Sequence, residues 1–534
     1  MKKLNLLLVS LMALILGIAV IYHVDLKINP PEDETIKIRR DQQHITAMAE
    51  GANPYTGSKY VPADGAIGKD FESHLPLVVI DLEGKEIPLT KVTTEDQEVI
   101  YTGEDPYVTG TISIIDNGNH VNSLADGADF SSSMKIKYRG NFSLNFDKKQ
   151  YGIKLIDENG ENAKLSVLGM EANNDWILNV SQLDESLIRN YLAYNIGSAL
   201  FEGTPECKYC EVILKDGDEY NYQGLYMMLE KVEKGEGRVE LSGYDPGEKI
   251  VDYLLCRDRE DSEEIQISTY GDQMGLTSGR LSVVYPDAEA IDDYSFNYIQ
   301  DQIDNIDRVL YSDDDAVFSS WPEYIDITSF ADYFIFNELM SNYDAGHNST
   351  YMYKKGVGKL CMGPVWDYDG SMDNAFDVSN PEYLAFYESP WFDRLVTSRQ
   401  FMTYSVARYK ELTKKNNILS DEFITGYIDD VSKFLGNAAL RDRSRWQEAY
   451  DGNLVHDAKD SDGNLIPRDS DNWISEVIRL KSYFVVKELY MGADLDKLLA
   501  ESTDKGHVGT YLAVMMIAVF ICSVVLIRRK DLFV

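Results

Sequence analysis

Acidic and amide side chains stand at both ends of a predicted β-hairpin in residues 342–370, NYDAGHNSTYMYKKGVGKLCMGPVWDYDG. Asp344 and Asn348 lie in the polar stretch before the first strand, and Asp367 and Asp369 follow the second strand. The strands can pair about the GVG turn, which would bring Asp367 back towards Asn348. In-line phosphoryl transfer uses a carboxylate to orient the acceptor hydroxyl, and an amide and a carboxylate to hold Mg²⁺ on the phosphates. The residue types and their order are compatible with that chemistry, although Asp and Asn in loops often only form turns.

The predicted strands and helices around these residues form a β-rich half followed by a helix-rich half. Apolar runs and alternation typical of strands occur in LPLVVIDLEGKEIPL, YVTGTISIID, SMKIKYRGNFSLNFDKKQYGIKLID and CEVILKDGDEYNYQGLYMMLEKVEK. Helical periodicity first occurs in DESLIRNYLAYNIGSALF and dominates from DITSFADYFIFNELMSN onwards. The pattern therefore predicts an α+β fold, β-rich over residues 74–260 and helix-rich over residues 261–490, with the hairpin inside the helical half.

Missing motifs and the net charge narrow the class of function. The sequence contains no GxxxxGK(S/T), GxGxxG, HExxH or GxSxG motif. Their absence removes the common routes to P-loop hydrolysis, zinc proteolysis and serine hydrolysis. The formal net charge of −38 repels nucleic acid, so we expect no nucleic-acid partner.

Six short motifs, in one order along the chain, carry a resemblance to a known family. They are KIKYRGNFS…KKQYGIKL, DWILNVSQLDESLIRNYLAYNIG, YNYQGLYMMLEKVE, FADYFIFNEL, STYMYKK…KLCMGPVWDYDG and WFDRLV. Together they resemble the CotH (spore coat protein H-like) kinase family over about residues 75–490. The resemblance implies an atypical, two-lobe kinase-like fold. It also implies that the protein binds ATP with Mg²⁺ or Mn²⁺ and phosphorylates a protein of the cell envelope or spore coat.

The same resemblance implies roles for the residues at the two ends of the hairpin. Asp344 would be the catalytic carboxylate, and Asn348 and Asp367 would be metal ligands. Asp369 is a further candidate metal ligand, because the DYD motif offers two carboxylates.

Several residues are candidates for the cation that would contact the nucleotide phosphates. Lys154, in the predicted strand of KKQYGIKL, is the first choice, since a lysine in a sheet can place a compact charge on a phosphate. The other candidates for nucleotide binding lie in the RGN…KK segment and at the end of GLYMMLEK: Arg139, Lys149, Glu230 and Lys231. No glycine-rich phosphate loop of the protein-kinase type is visible, so the sequence leaves the covering of the nucleotide open.

Other residues of these motifs have more than one interpretation. The aromatic residues with core-like spacing, which we expect to be packing residues, are Trp176, Tyr191, Tyr226 and Phe330. Arg189 and Asn190 could line the cleft instead. Cys207 and Cys210 form a CxxC pair that could become a short-loop disulfide outside a cell, but the following EVILKDG predicts a strand rather than the helix of a redox motif.

Two uncharged apolar runs, Leu4–Tyr22 and Val508–Ile527, are each long enough to cross a ~30 Å hydrocarbon core as a helix. Lysines precede the first run and basic residues follow the second. The positive-inside rule then places both termini in the cytoplasm and the central domain outside the cell membrane. The alternative for the first run is a cleaved signal peptide. The predicted organisation is an anchor (1–23), a polar stalk (24–73), the kinase-like domain (74–490), a linker (491–507), a second span (508–527) and a basic cytoplasmic tail (528–534).

The sequence leaves two functional hypotheses. The first is a membrane-anchored, exported kinase that transfers the γ-phosphate of ATP to a protein hydroxyl. The alternative is a kinase-like surface protein that binds a partner, mediates adhesion or organises the envelope without catalysis. The combination of Asp344, Asn348 and Asp367 favours the enzyme, because a pure scaffold has no need of three such groups.

Overall fold

The structure is a computed structural model. It describes residues 36–503 apart from 90, 94–98, 102–104, 181, 260–264, 376–379, 458, 460–462, 466–467 and 469–471. A first part rich in strands is followed by a second part in which helices dominate. The predicted α+β class and the order of its two halves are therefore confirmed.

The first part is a β-barrel with short elements around it. Its strands are β1 (Ala66–Ile67), β2 (Glu72–Ser73), β3 (Leu77–Asp81), β4 (Lys91–Thr93), β5 (Val99–Tyr101), β6 (Val108–Ile115), β7 (Asn122–Ser123), β8 (Phe130–Arg139), β9 (Gln150–Ile156), β10 (Asp175–Asn179), β11 (Cys207–Asp216) and β12 (Glu219–Glu230). Its helices are α1 (Gln43–Ala49) and α2 (Arg189–Gly197). The strand order is β1-β12-β10-β9-β8-β6-β3-β11, and β12 also pairs with β11. This additional pairing closes the strands from β12 to β11 into a barrel.

Every strand of the barrel contributes a buried apolar side chain to one cluster in its interior. One representative from each strand, in chain order, is Ile80, Ile112, Met134, Ile153, Leu178, Val212 and Met228. Burial of one such side chain stabilises the fold by about 1.5–3 kcal/mol. Because successive side chains of a strand point to opposite faces, the alternate residues lie on the outside of the barrel. The barrel is therefore a packed platform for side chains on its outer surface.

The second part packs helices around a five-stranded sheet. Its strands are β13 (Tyr253–Asp258), β14 (Gln266–Ile267), β15 (Arg280–Tyr285), β16 (Thr350–Lys354) and β17 (Cys361–Met362). Its helices are α3 (Tyr270–Gln273), α4 (Asp293–Leu310), α5 (Asp315–Phe318), α6 (Ile327–Met340), α7 (Phe392–Leu395), α8 (Arg399–Leu412), α9 (Asp421–Arg445), α10 (Gln447–Asp451) and α11 (Trp473–Glu501). The sheet order is β14-β15-β13-β16-β17, so the hairpin β16–β17 lies at one edge.

Helix α6 is the central element of the second part and leads directly into the polar stretch of the hairpin motif. Its N-cap is Asp326, whose side chain accepts a hydrogen bond from the backbone N–H of Ser329 at 2.8 Å. All residues from Phe330 to Met340 are buried, as expected of a helix surrounded by other elements. The helix ends at Ser341, which has a left-handed φ of 45°. This reversal turns the chain out of the core three residues before Asp344.

The part of the predicted stalk that the structure describes, residues 36–73, is packed against the domain. The Arg40 guanidinium donates to the backbone carbonyls of Tyr194 at 2.7 Å and Pro205 at 2.8 Å. His44 of α1 is buried, and its Nδ1 lies 3.1 Å from the hydroxyl of Tyr191. The polar side chains that predicted a stalk include Arg40 and His44, which bond to polar groups of the domain.

The predicted two-span membrane topology, with an extracytoplasmic central domain, is not supported. Within residues 36–503, where the structure describes them, no helix combines the length and the apolar character needed to cross a membrane. The runs Leu4–Tyr22 and Val508–Ile527, on which the prediction was based, lie outside the described residues.

The cysteines of the CxxC pair are free and buried. Cys207 belongs to the main core cluster, whereas Cys210 belongs to the cluster inside the barrel. Residues three apart in a strand point to opposite faces, so the two sulfur atoms cannot form a disulfide within β11. Burial raises the pKa of Cys207 to about 12, which keeps the thiol protonated.

Candidate functional site

A tight loop between α6 and β16 presents Asp344 and Asn348. The Asp344 side chain is exposed, and its Oδ1 accepts a hydrogen bond from Asn348 Nδ2 at 3.2 Å. The backbone N–H of Asn348 donates to the carbonyl of Asp344 at 2.7 Å. Inside the loop, the N–H of Gly346 donates to Thr350 Oγ1 at 2.7 Å. The loop therefore fixes the position of the exposed carboxylate relative to the amide.

A buried arginine supports this loop from below. Arg257 of β13 donates to the carbonyl of Gly346 at 3.3 Å and lies over the ring of Trp391 at 4.8 Å from the ring centroid. Gly346 has a φ of 84°, and a Cβ at this position would lie 2.6 Å from Cβ of Ser389. Only glycine fits this turn without displacing its neighbours.

The hairpin returns the chain to the loop, as the sequence predicted. Met352 pairs with Met362 and Tyr353 with Cys361. Beyond β17, Asp367 adopts a left-handed φ of 64°. Its backbone N–H donates to the Tyr194 hydroxyl at 3.3 Å, and its carbonyl accepts a hydrogen bond from Asn342 Nδ2 at 3.5 Å.

Three carboxylates converge where the loop and the DYD motif meet. The pKa of Asp367 is raised well above its ordinary value, first by desolvation and then by the charges of Asp369 and Asp344, while Arg139 opposes the shift. Asp367 is exposed to water. The surrounding protein atoms nevertheless limit the hydration of its carboxylate. Ser349 Oγ lies 3.5 Å from Asp367 Oδ2. Repulsion within this acidic cleft favours binding of a cation.

The side chains of this cleft would hold a divalent metal ion only together with the phosphates of a bound nucleotide. Among the described residues, no group of three or more His, Cys, Asp or Glu side chains is arranged to hold a metal ion. Mg²⁺ bound with a nucleotide usually takes one or two carboxylates from the protein, and its remaining ligands come from phosphates and water. Asp367 with Asn348 or Asp369 meets that smaller requirement.

Arg139, at the end of β8, is the predicted nucleotide-binding cation that the structure brings to the cleft. Its guanidinium lies 5.7 Å from the ring centroid of Trp366, the residue before Asp367. Its Nη1 donates to Gln150 Oε1 at 2.8 Å. Arg139 also acts on the pKa of Asp367 through its charge. The arginine is thus oriented by the barrel and faces the carboxylates.

A chain of amide side chains connects Gln150 to the DYD motif. Asn179 Nδ2 donates to Gln150 Oε1 at 3.3 Å, and Asn190 Nδ2 donates to Asn179 Oδ1 at 3.4 Å. Asn190 Oδ1 in turn accepts the backbone N–H of Tyr368 at 2.7 Å. Asn190 is therefore a buried bridge between the barrel and the DYD motif.

Lys154, the first-choice phosphate cation, is not brought to these carboxylates. It pairs with Lys135 on β8 and Asp175 on β10. Its position is four residues along β9 from Gln150, or about 13 Å at the usual rise of a strand. Its Nζ lies 5.2 Å from the ring centroid of Tyr107. The lysine lies on the outer face of the barrel, away from Arg139.

The other predicted nucleotide-binding residues have local partners. Lys149 Nζ donates to the carbonyl of Leu144 at 2.7 Å. Glu230 is buried beside Arg238, with 3.3 Å between Oε1 and Nη2. Lys231 Nζ lies 3.8 Å from Asp175 Oδ2. The predicted packing residues Trp176, Tyr191, Tyr226 and Phe330 are all buried.

Asp258 is a cleft residue that sequence reasoning missed. Its pKa is raised, first by desolvation, and the charge of Asp344 adds to the shift. A hydrogen bond with the backbone of Ser349 has the opposite effect. β13 pairs with β16, where Arg257 lies opposite Thr350, and this pairing brings Asp258 to the loop. In the sequence, Asp258 is marked only by its place with Arg257 after the apolar run YLLC. That position does not reveal that β13 pairs with β16.

The fold and the cleft define a two-part α+β protein in which a barrel-borne arginine faces carboxylates held by the helical part. The sequence model of the CotH kinase protein family matches residues 136–487. The chain therefore belongs to the CotH kinase family, and the match includes all the cleft residues from Arg139 to Asp369. A search of curated proteins gave no match.

Proposed function

We propose that the protein is a kinase that transfers the γ-phosphate of ATP to a hydroxyl group of a protein. The observation that supports this proposal is the meeting of Asp344, Asn348, Asp367 and Arg139 in one cleft, in a chain of the CotH kinase family. The four groups come from two parts of the fold, and each is held by hydrogen bonds or by the turn it occupies.

Asp344 orients the acceptor. Its exposed carboxylate accepts a hydrogen bond from the attacking hydroxyl, while Asn348 restrains the Oδ1 atom. The acceptor oxygen forms a bond to the γ-phosphorus as the bond to the β,γ-bridging oxygen breaks, and ADP leaves. The hydroxyl proton passes to Asp344 or to the departing phosphate oxygens.

Asp367 and Asn348 would hold Mg²⁺, with Asp369 as the alternative ligand. A bound divalent cation supplies charge neutralisation between nucleotide phosphates and carboxylates. Desolvation is the first cause of the raised pKa of Asp367, and the charges of Asp369 and Asp344 come next. A cation bound here would relieve the repulsion among these carboxylates, which supports the assignment. Arg139 contacts the phosphates in this proposal, and the planar guanidinium suits phosphate oxygens.

The test is transfer of labelled γ-phosphate from ATP with Mg²⁺ by the purified protein, compared with its Asp344→Asn variant. Loss of a group that orients the nucleophile should lower the transfer rate by about 100- to 10,000-fold. The affinity for ATP should stay unchanged, since Asp344 contributes mainly to the transition state. Equal rates in the two proteins would show that Asp344 is not the catalytic group. ATP binding without any transfer would favour a kinase-like binding protein.

A further inference from the structure

Six charged side chains, largely buried, form a linear series of alternating charge behind the DYD motif. We call them the charge chain. In order, the ion pairs are Asp184–Arg189 at 2.6 Å, Arg189–Glu476 at 3.0 Å, Glu476–Arg479 at 2.7 Å, Arg479–Asp373 at 3.0 Å and Asp373–Arg468 at 2.8 Å. Three arginines balance three carboxylates. Buried charges are tolerated when they are paired and hydrogen-bonded, and removing one partner is costly.

All three arginines of the charge chain also hold the backbone that follows the DYD motif. Arg189 donates to the carbonyls of Ser371 at 3.2 Å and Met372 at 3.3 Å. Arg479 donates to the carbonyl of Asp373, and Arg468 to the carbonyl of Ala375. These bonds fix a segment with no helix or strand of its own.

This segment is held in a conformation that it would not adopt alone. Met372 has a φ of 54° and Asp373 a φ of 61°, both left-handed and neither glycine. Residues in this conformation are strained and persist only where the surrounding structure determines them. The charge chain supplies those surroundings.

One direct route runs from the charge chain to a proposed metal ligand. Arg479 Nη2 donates to Asn374 Oδ1 at 3.0 Å. Asn374 Nδ2 donates to the backbone carbonyl of Asp369 at 2.7 Å. On the other side of the motif, Asn190, the neighbour of Arg189, holds the N–H of Tyr368. The backbone of the DYD motif is thus held at Tyr368 and at Asp369.

We propose that the charge chain sets the position of Asp367 and Asp369, with Arg479 as the positioning residue through which α11 acts on the metal site. The inference rests on the proposed function. Arg479 donates hydrogen bonds to Glu476, Asp373 and Asn374. Its effect passes through Asn374 and the carbonyl of Asp373, so it concerns where the carboxylates lie and not their charge. Groups that orient metal ligands contribute to affinity in this way.

The test compares Arg479→Lys with Arg443→Lys as a matched control. Arg443 is similarly buried and pairs with Glu185 at 2.8 Å, whereas Arg479 pairs with Asp373 of the segment that follows the DYD motif. A lysine keeps the charge and loses the fork of donors. We expect Arg479→Lys to raise by about 10-fold the Mg²⁺ concentration needed for ATP binding. In the metal-free protein, amide hydrogen exchange of residues 368–375 should also become faster.

A second variant, Asn374→Asp, keeps the acceptor for Arg479 but removes the donor to Asp369, and should change both readouts in the same direction. Arg443→Lys should change neither, although it can lower the melting temperature. The proposal is overturned if Arg479→Lys behaves like Arg443→Lys in both measurements. If the parent protein does not bind ATP with Mg²⁺, the proposed function fails, and the exchange rates alone decide whether the charge chain fixes the DYD backbone.

Discussion

Asp344 and Asp367 lie in one cleft, but their surroundings give them different properties. Asp344 is exposed and tied to a neighbouring amide. Asp367 is desolvated and repelled by two other carboxylates, which raises its pKa. Both residues are exposed, and they differ in the acidic neighbours of Asp367, which favour binding of a cation. This difference supports the roles proposed for the two carboxylates.

The raised pKa of Asp367 predicts opposite pH trends with and without metal. Because folding raises this pKa, the folded protein binds the proton more tightly than the unfolded chain, and the metal-free protein gains stability from this group as pH falls through the raised value. Mg²⁺ needs the ionised carboxylate, so the affinity for ATP with Mg²⁺ should fall over the same range. Melting curves and ATP titrations from about pH 8 to about pH 5 measure both trends.

Asp367→Asn should abolish the pH dependence assigned to this group. It should also raise the melting temperature of the metal-free protein near neutral pH, since it removes repulsion among Asp367, Asp369 and Asp344. Asp430→Asn, which removes a charge from the exposed face of α9, controls for the change in net charge. If the two variants respond alike, the repulsion at Asp367 is not the cause.

Arg139 and Lys154 can be separated by matched substitutions. Arg139→Met should weaken ATP binding by about 10-fold or more, because a charge-assisted contact with phosphate contributes about 1.5–3 kcal/mol. Lys154→Met should leave the affinity unchanged, since its ammonium lies over Tyr107. Isothermal titration with ATP and Mg²⁺ measures both. If Lys154→Met weakened ATP binding more than Arg139→Met, Lys154 and not Arg139 would be the residue that contacts the phosphates.

At the scale of elements, the barrel and the helical part are joined by buried polar contacts as well as by apolar packing. Lys148, just before β9, lies 2.6 Å from Asp442 of α9. Asp442 also accepts the backbone N–H of Leu225 at 2.7 Å. Both charged side chains are fully buried. The adjacent lysines of the KK motif therefore have different environments, which the sequence does not reveal.

Lys148→Met should destabilise the protein by about 3–5 kcal/mol, because it leaves the Asp442 charge buried without its partner. Lys149→Met should change stability by no more than about 1 kcal/mol, since Lys149 is half-buried and has a single carbonyl partner. Urea unfolding of the two variants gives the comparison. Equal, small losses would mean that Asp442 is sufficiently satisfied by its other donors.

At the scale of the whole molecule, residues 36–73 behave as part of the domain. Apolar side chains from this segment that are buried against the rest of the chain are Ala47, Ala52, Val61 and Phe71. The Arg441 guanidinium donates to the carbonyls of Thr56 at 3.2 Å and Ser58 at 2.6 Å. The segment thus closes the surface between the barrel and α9.

A protein shortened to begin at residue 74 should lose roughly 5 kcal/mol or more of unfolding free energy, because those side chains and the Arg441 donors lose their partners. Urea unfolding of the shortened and full-length proteins measures the difference. An unchanged midpoint would show that the contacts of this segment contribute little to stability. That result would return residues 36–73 to the role of an independent stalk.

Patterns within the sequence predicted the α+β class, the hairpin, and the order of Asp344, Asn348 and Asp367 around it. These features depend on periodicity and on residues close together in the chain, and such patterns are readable locally. Aromatic core positions such as Trp176 and Phe330 were predictable for the same reason.

Which distant side chains share the cleft depends on tertiary contacts that no sequence pattern revealed. Closure of the barrel depends on the pairing of β12 with β11, and the place of Asp258 depends on the pairing of β13 with β16. Arg139 reaches the DYD motif and Lys154 does not, because four residues along a strand displace a side chain by about 13 Å. Strand register and the pairing of segments far apart in the chain are set by packing of the whole core. A local sequence pattern does not encode them.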